Sequence, residues 1–222
     1  MTWLRESAAS FSGDVDWLIL LILIMAGFWF LLAEATLFWF MLRFRRKPGT
    51  KALYLTGERR AEKRWITIPH LLILACDVVL LLCSMHVWAS IKQDLPTADE
   101  TIRVVAQQWA WRFVHPGLDQ ELGTADDVQT VDELHLKVNT VYHFRLESVD
   151  SLHSFSIPVF RLKQDAVPGR VYTGWFKPIK NGTFDIQCAE ICGIGHGLMG
   201  ARLIVESAEA HQQWLAQRTA SH

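Results

Sequence analysis

Cys188-Ala189-Glu190-Ile191-Cys192-Gly193-Ile194-Gly195-His196-Gly197-Leu198-Met199 gathers two thiols, an imidazole and a thioether into one short run. Soft sulfur donors beside imidazole favour copper over hard cations. Gly193, Gly195 and Gly197 let the backbone turn tightly enough to bring His196 and Met199 back towards the cysteines. Two cysteines so spaced in an oxidising compartment would otherwise read as a disulfide. The histidine and methionine close behind them argue for a metal instead. A further donor must come from elsewhere, and the best placed is His153, in Asp150-Ser151-Leu152-His153-Ser154-Phe155-Ser156-Ile157-Pro158, after a strand and before a proline turn. A single blue-copper site takes one Cys, two His and a weak axial Met. Two thiols with two imidazoles suit two copper ions bridged by both sulfurs, one histidine on each. Met199 is then a weak ligand to one copper, and the backbone carbonyl of Glu190 can serve the other. One electron shared over two metals spreads the charge change, so the surroundings reorganise little.

Around this run the sequence reads as strands. Short segments rich in β-branched and aromatic residues run through residues 102–105 into 109–113, then 134–138, 141–146, 171–176, 183–188 and 201–205. Gly, Pro, Asn and Asp punctuate them, as a sandwich or barrel requires. An amphipathic helix at about 208–218 closes the chain. Cys76 and Cys83 lie apart from the other pair, one heptad apart in an apolar stretch, and read as small packing residues.

That stretch is one of two. Residues 17–42 carry a single charge, Glu34, and residues 65–91 a single carboxylate, Asp77. Each exceeds the roughly 20 residues a helix needs to cross a bilayer core. The first is too long for a cleaved secretory signal and ends in Arg43-Phe44-Arg45-Arg46-Lys47, so it is expected to stay as an anchor. Basic residues crowd the loop 43–64, whereas Arg5 is the sole basic residue before the first span. The positive-inside rule puts that loop in the cytoplasm. Segment 1–16 and the domain 92–222 then lie outside, in the periplasm of a bacterium or the intermembrane space of a mitochondrion. The chain of 222 residues has a formal net charge of −1, which argues against nucleic acid as a partner.

The pattern C-x-E-x-C-x3-H-x2-M with an upstream Leu-His-Ser resembles the dinuclear copper (CuA) domain of cytochrome c oxidase subunit II, and the resemblance covers nearly the whole chain. It implies a two-helix transmembrane hairpin followed by an all-β, cupredoxin-like Greek-key barrel in the inner membrane. The copper ligands it implies are His153, Cys188, Glu190 through its carbonyl, Cys192, His196 and Met199. The Glu190 side chain would also reach a magnesium ion at the boundary with the catalytic subunit I, which residues 163–170 would face. Gln108-Trp109-Ala110-Trp111 resembles the family's aromatic cluster, whose first tryptophan lies where cytochrome c docks and feeds the copper. Ala110 replaces the usual aromatic there. A tryptophan on an alternating strand is otherwise a core residue. Glu62 matches a glutamate at the mouth of a proton channel in the catalytic subunit, against a plain solvated carboxylate among arginines.

The expected function is electron acceptance from cytochrome c and delivery to the haem of an oxygen-reducing, proton-pumping partner, within an assembly of further oxidase subunits. A partner that reduces nitric oxide would need the same chain. A membrane-anchored copper chaperone of thioredoxin fold would instead alternate helices with strands and carry its cysteines near the domain's start. Asp77 and His86 are costly in lipid, so they are expected to face the partner chain or the first helix. The run 119–127 has the alternating acids of a calcium loop but reads more readily as an acidic turn. His115, His135, His143, His211 and His222 lack soft neighbours and read as strand or surface residues.

Overall fold

The computed structural model describes residues 6–52 and 54–219, so Arg5 and His222 lie outside the described residues. The chain divides into two units, residues 16–89 and residues 1–15 with 90–222. The first holds most of helices α1 (Ser12–Arg43) and α2 (Arg60–Lys92), each a few residues longer than its apolar stretch. Both are long and apolar enough to cross a membrane, and the most apolar window of each has no buried residue. Leu31, Leu42 and Ile66 present their side chains outward. Such a surface needs lipid or partner helices to cover it. Between the helices, the Trp29 indole N–H donates to Cys76 Sγ at 3.5 Å. Cys76 and Cys83 are half-buried free thiols, in keeping with a packing role. Asp77 and His86 are exposed on the chain's own surface, so the first helix does not cover them.

The second unit is a strand sandwich. Its strands are β1 (Glu100–Gln107), β2 (Ala110–His115), β3 (Val128–Val131), β4 (Glu133–Lys137), β5 (Tyr142–Ser148), β6 (His153–Ile157), β7 (Leu162–Ala166), β8 (Tyr172–Phe176), β9 (Gly182–Cys188) and β10 (Gly200–Glu206), followed by helix α3 (Ala208–Thr219). One sheet has the order β3-β2-β1-β5-β8 and the other β4-β10-β9-β6-β7. Each contains one parallel pair, β1 with β5 and β10 with β4, in an otherwise antiparallel ladder. The sequence reading missed β3, β6 and β7. It also ran β1 into β2, where the chain instead turns back at Gln108 and Trp109. His153 opens β6, and residues 163–166 belong to β7 and not to a loop.

Alternation on β1 and β5 turns Ile102, Val104 and Ala106, and Tyr142, Phe144 and Leu146, into the space between the sheets. Phe155 from the opposite sheet meets Trp111 at 5.3 Å and Phe144 at 5.8 Å between ring centroids. Burying each such side chain stabilises by about 1.5–3 kcal/mol. Phe144 stacks on Phe176 because Gly174 leaves the room; a Cβ there would lie 2.3 Å from the Phe144 ring.

The N-terminal segment completes this core. Ala8, Ala9 and Phe11 are buried, and Phe11 meets the Trp175 ring edge-on at 5.2 Å. Its backbone is paired on both sides: Ala8 N–H donates to Val159 O, Ser10 N–H to Lys177 O, and Ile179 N–H to Ala8 O. At the other end of the chain, Ser207 Oγ caps α3 by accepting the Ala210 N–H at 3.2 Å. The helix packs over His115 and His135, which lie on strands as the sequence reading allowed, while His211, read as a strand or surface residue, is buried on the helix itself. His143 is half-buried on β5.

Candidate metal centre

His153 and Cys188 are brought together by the β6–β9 ladder, in which Phe155 pairs with Cys188. The Cys188 N–H donates to Met199 O, and the Ala189 N–H to Ser154 O. Two strands and the start of β10 are thereby fixed before any donor atom is considered. The loop between is held short by Gly193, at φ +125°, and by a 3-10 turn at His196–Leu198.

The donor atoms converge. Cys188 Sγ and Cys192 Sγ lie 3.7 Å apart and both thiols are free. That gap is far longer than the roughly 2.05 Å of a disulfide. His153 Nδ1 is 3.1 Å from Met199 Sδ and 3.9 Å from Cys188 Sγ. His196 Nδ1 and Met199 Sδ are each 3.7 Å from Cys192 Sγ. The Glu190 carbonyl oxygen stands 3.2 Å from Cys188 Sγ. Donor atoms of His153, Cys188 and Cys192 fall within 4.8 Å of one another, and all three residues are buried. The donors so gathered are soft, which fits copper. Burial and the neighbouring Cys188 thiol push the Cys192 thiol up to about 11. Without a cation the Cys192 thiol stays protonated at neutral pH, and taking up a metal there must expel its proton.

A hydrogen-bonded shell surrounds the donors. His153 Nε2, on the far side of the ring from the sulfurs, lies 2.8 Å from Asp150 Oδ1 and 3.2 Å from Ser151 Oγ. Gln108 Nε2 donates to the Cys192 carbonyl at 2.7 Å. Desolvation pushes the Asp150 pKa up, but the hydrogen bonds from His153, Gln108 and Ser151 outweigh it and hold the carboxyl below the usual range. Asp150, Ser151 and Gln108 escaped the sequence reading; the only signal was the Asp-x-x-His spacing of 150 and 153.

Trp109 sits on the turn between β1 and β2, 39% exposed, whereas Trp111 is the buried core residue. The Trp109 indole lies against the ligand loop. A Cβ on Gly195 would come within 2.5 Å of its ring, and one on Gly193 within 3.2 Å. On the same loop, Ile191, Ile194 and Leu198 expose apolar surface. Glu62 stands apart, in the first turn of α2, where its carboxylate accepts the Gly57 N–H at 3.0 Å. In the 119–127 run the Asp126 and Asp127 carboxylates accept the Asp119 and Gly123 N–H groups, as in an acidic turn. Among the described residues, the His153, Cys188 and Cys192 group is the one set of three or more such donors. No α-helix separates the described strands of this unit, which opposes the chaperone reading.

A soft-donor pocket at the end of a strand sandwich, with two apolar helices ahead of it, defines a cupredoxin-like metal protein with membrane-anchoring helices. The family model "Cytochrome C oxidase subunit II, periplasmic domain" matches residues 100–208. The alternative cytochrome c oxidase subunit 2 of Bradyrhizobium diazoefficiens is 32% identical over 97% of this chain and 84% of its own length. The cytochrome c oxidase subunit 2 of Cereibacter sphaeroides is 27% identical over 97% of this chain and 80% of its own. The crystal structure of the periplasmic domain of subunit II of cytochrome oxidase (CoxB) of Bradyrhizobium japonicum superposes with a TM-score of 0.51 at 27% identity, covering 57% of this chain and 98% of that one. The chain belongs to the cytochrome c oxidase subunit 2 family, which implies a copper centre.

Proposed function

We propose that this chain is the electron-accepting subunit of a haem-copper oxidase, taking electrons from cytochrome c at a dinuclear copper site and delivering them to the catalytic subunit. The observation that carries the reading is the pair of free, buried thiols 3.7 Å apart with an imidazole beside each. His153, Cys188, Glu190 through its carbonyl, Cys192, His196 and Met199 would hold the copper, which when bound accepts and releases single electrons. The Cys188 and Cys192 sulfurs are close enough to be shared by two ions, and the ladder that holds Cys188 keeps them so. His153 and Met199 are buried and keep water from the centre. Trp109 offers one part of its indole to solvent and another to the ligand loop, the placement expected of a residue through which electrons arrive.

The oxygen-reducing partner is supported by the names of the relatives. The magnesium role of the Glu190 side chain and the proton-channel role of Glu62 rest on the resemblance alone, and Glu62 already has a local role in holding Gly57. The basic loop and the burial of Ala8, Ala9 and Phe11 in the sandwich both support a cytoplasmic loop with the N-terminus and the domain on the outer face of the inner membrane.

The full chain, purified in detergent and loaded with copper, should bind two ions. Its oxidised form should share one unpaired electron between two equivalent nuclei, giving a seven-line hyperfine pattern. A four-line spectrum of isolated copper, or zinc held in preference to copper, would overturn the proposal.

A further inference from the structure

Asp150 offers no atom to the donor set, yet it touches both the set and the residue that leads to Trp109. Its Oδ1 lies 2.8 Å from His153 Nε2 and accepts the Ser151 N–H at 2.6 Å. Its Oδ2 accepts the Gln108 N–H, also at 2.6 Å. Nδ1 of His153 is turned to Met199 and Cys188, and once that nitrogen gives its lone pair to a metal the neutral ring carries its one N–H on Nε2. His153 is 0% exposed, so bulk water cannot take that hydrogen bond in place of the Asp150 carboxylate. A carboxylate behind a metal-binding histidine fixes its tautomer and ring orientation and raises its basicity. The carboxylate is itself braced: Ser148 Oγ donates to the Ser151 carbonyl at 2.5 Å, and the Asp150 N–H reaches Ser148 Oγ at 3.4 Å.

We propose that Asp150 is a positioning residue that holds His153 with Nδ1 towards the metal and, through its second oxygen, pins the Gln108–Trp109 turn to the segment that carries His153. One side chain thus links the seating of the electron-accepting tryptophan to the donor strength of a ligand. The inference rests on the copper reading above. It separates Asp150 from an ordinary surface carboxylate that merely attracts a cationic donor, because such a charge would leave the ligand's ring proton untouched.

The test uses the full chain in detergent, loaded with copper, as wild type, Asp150→Ala and Asp150→Asn. Three readouts are taken without any protein donor: solvent exchange of the ligand-histidine ring N–H by paramagnetic NMR, the reduction potential, and copper retention against a chelator. Asp150→Ala should speed ring-proton exchange, shift the potential and weaken copper binding by about 10–100-fold, the usual cost of losing a ligand's outer partner. Asp150→Asn keeps the shape but supplies one acceptor oxygen in place of two, and should fall between. If both variants match wild type in all three readouts and only the reaction with cytochrome c slows, Asp150 is a docking charge and the proposal is overturned. If wild type itself takes up no copper, it is the proposed function that fails.

Discussion

Trp109 touches the ligand loop without offering it a donor, whereas Met199 offers one, so the two residues separate arrival of the electron from tuning of the site. Trp109→Phe should leave copper content and visible spectrum normal while slowing copper reduction by cytochrome c at least tenfold, about 1.4 kcal/mol of added barrier. Stopped-flow reduction checks this, and a normal rate would make Trp109 mere packing. Met199→Leu keeps volume and loses the thioether, so its effect should be a changed spectrum and potential, the axial ligand being a lever on both. Gly195→Ala tests the contact from the other side. Its φ of −89° suits any residue, but the added methyl must displace the Trp109 ring. Copper binding should persist while reduction slows as in Trp109→Phe. The six proposed ligands could be named from the sequence because soft donors crowd one run and His153 sits in a recognisable Leu-His-Ser. Asp150 and Gln108 were not, because their roles exist only once the parallel pairing of β1 and β5 sets the ends of those two strands side by side.

Among the elements that the sequence hid, β6 and β7 lack an alternating face, whereas β3 alternates but is only four residues long. On β6 four of five residues are buried, including His153 and Ser154, so a fully enclosed strand looks polar. β7 is an edge strand, Leu-Lys-Gln-Asp-Ala, with few inward positions. Helix α3 was legible, but what it covers was not. His135 stacks on Trp214 at 4.1 Å, and Glu206 Oε1 lies 3.2 Å from Nδ1 of both His135 and His211. His115 packs against Trp214 and His211. Burial first, then His211 and His135, holds the His115 imidazole down to about 3, and burial also lowers His211 despite Glu100 and Glu206; Lys137 adds to that lowering. The folded domain thus binds fewer protons here than the unfolded chain. Stability contributed by neutral His115 is present above about 6.5 and falls by about 1.4 kcal/mol per pH unit as pH drops from there towards 3. Thermal unfolding followed by near-ultraviolet circular dichroism at pH 7 and pH 5 should show the loss. His115→Phe, a ring of similar size at a site where Nε2 has no partner, should reduce it.

At the scale of the whole molecule, residues 8–15 belong to the barrel unit although α1 already begins at Ser12. Phe11→Ala should destabilise the barrel by about 3–5 kcal/mol, as for other buried phenylalanines, which chemical unfolding of the full chain would measure. A reporter placed near Thr50 should be cytoplasmic and one after His222 exported, and the reverse would put the sulfur site on the wrong face to meet a cytochrome. The hairpin was legible from charge and length, but the return of the N-terminus into the core was not, since Ala8, Ala9 and Phe11 are too few to show a period.

That return sets a clock on synthesis. Ser12 Oγ reaches the Val159 carbonyl across 147 residues of chain. A ribosome adding about 5–20 residues per second needs on the order of ten seconds to supply that distance. On the proposed topology the first residues would wait outside the membrane through that interval, and the barrel would close on them only after both helices had been inserted and the far half of the domain carried across.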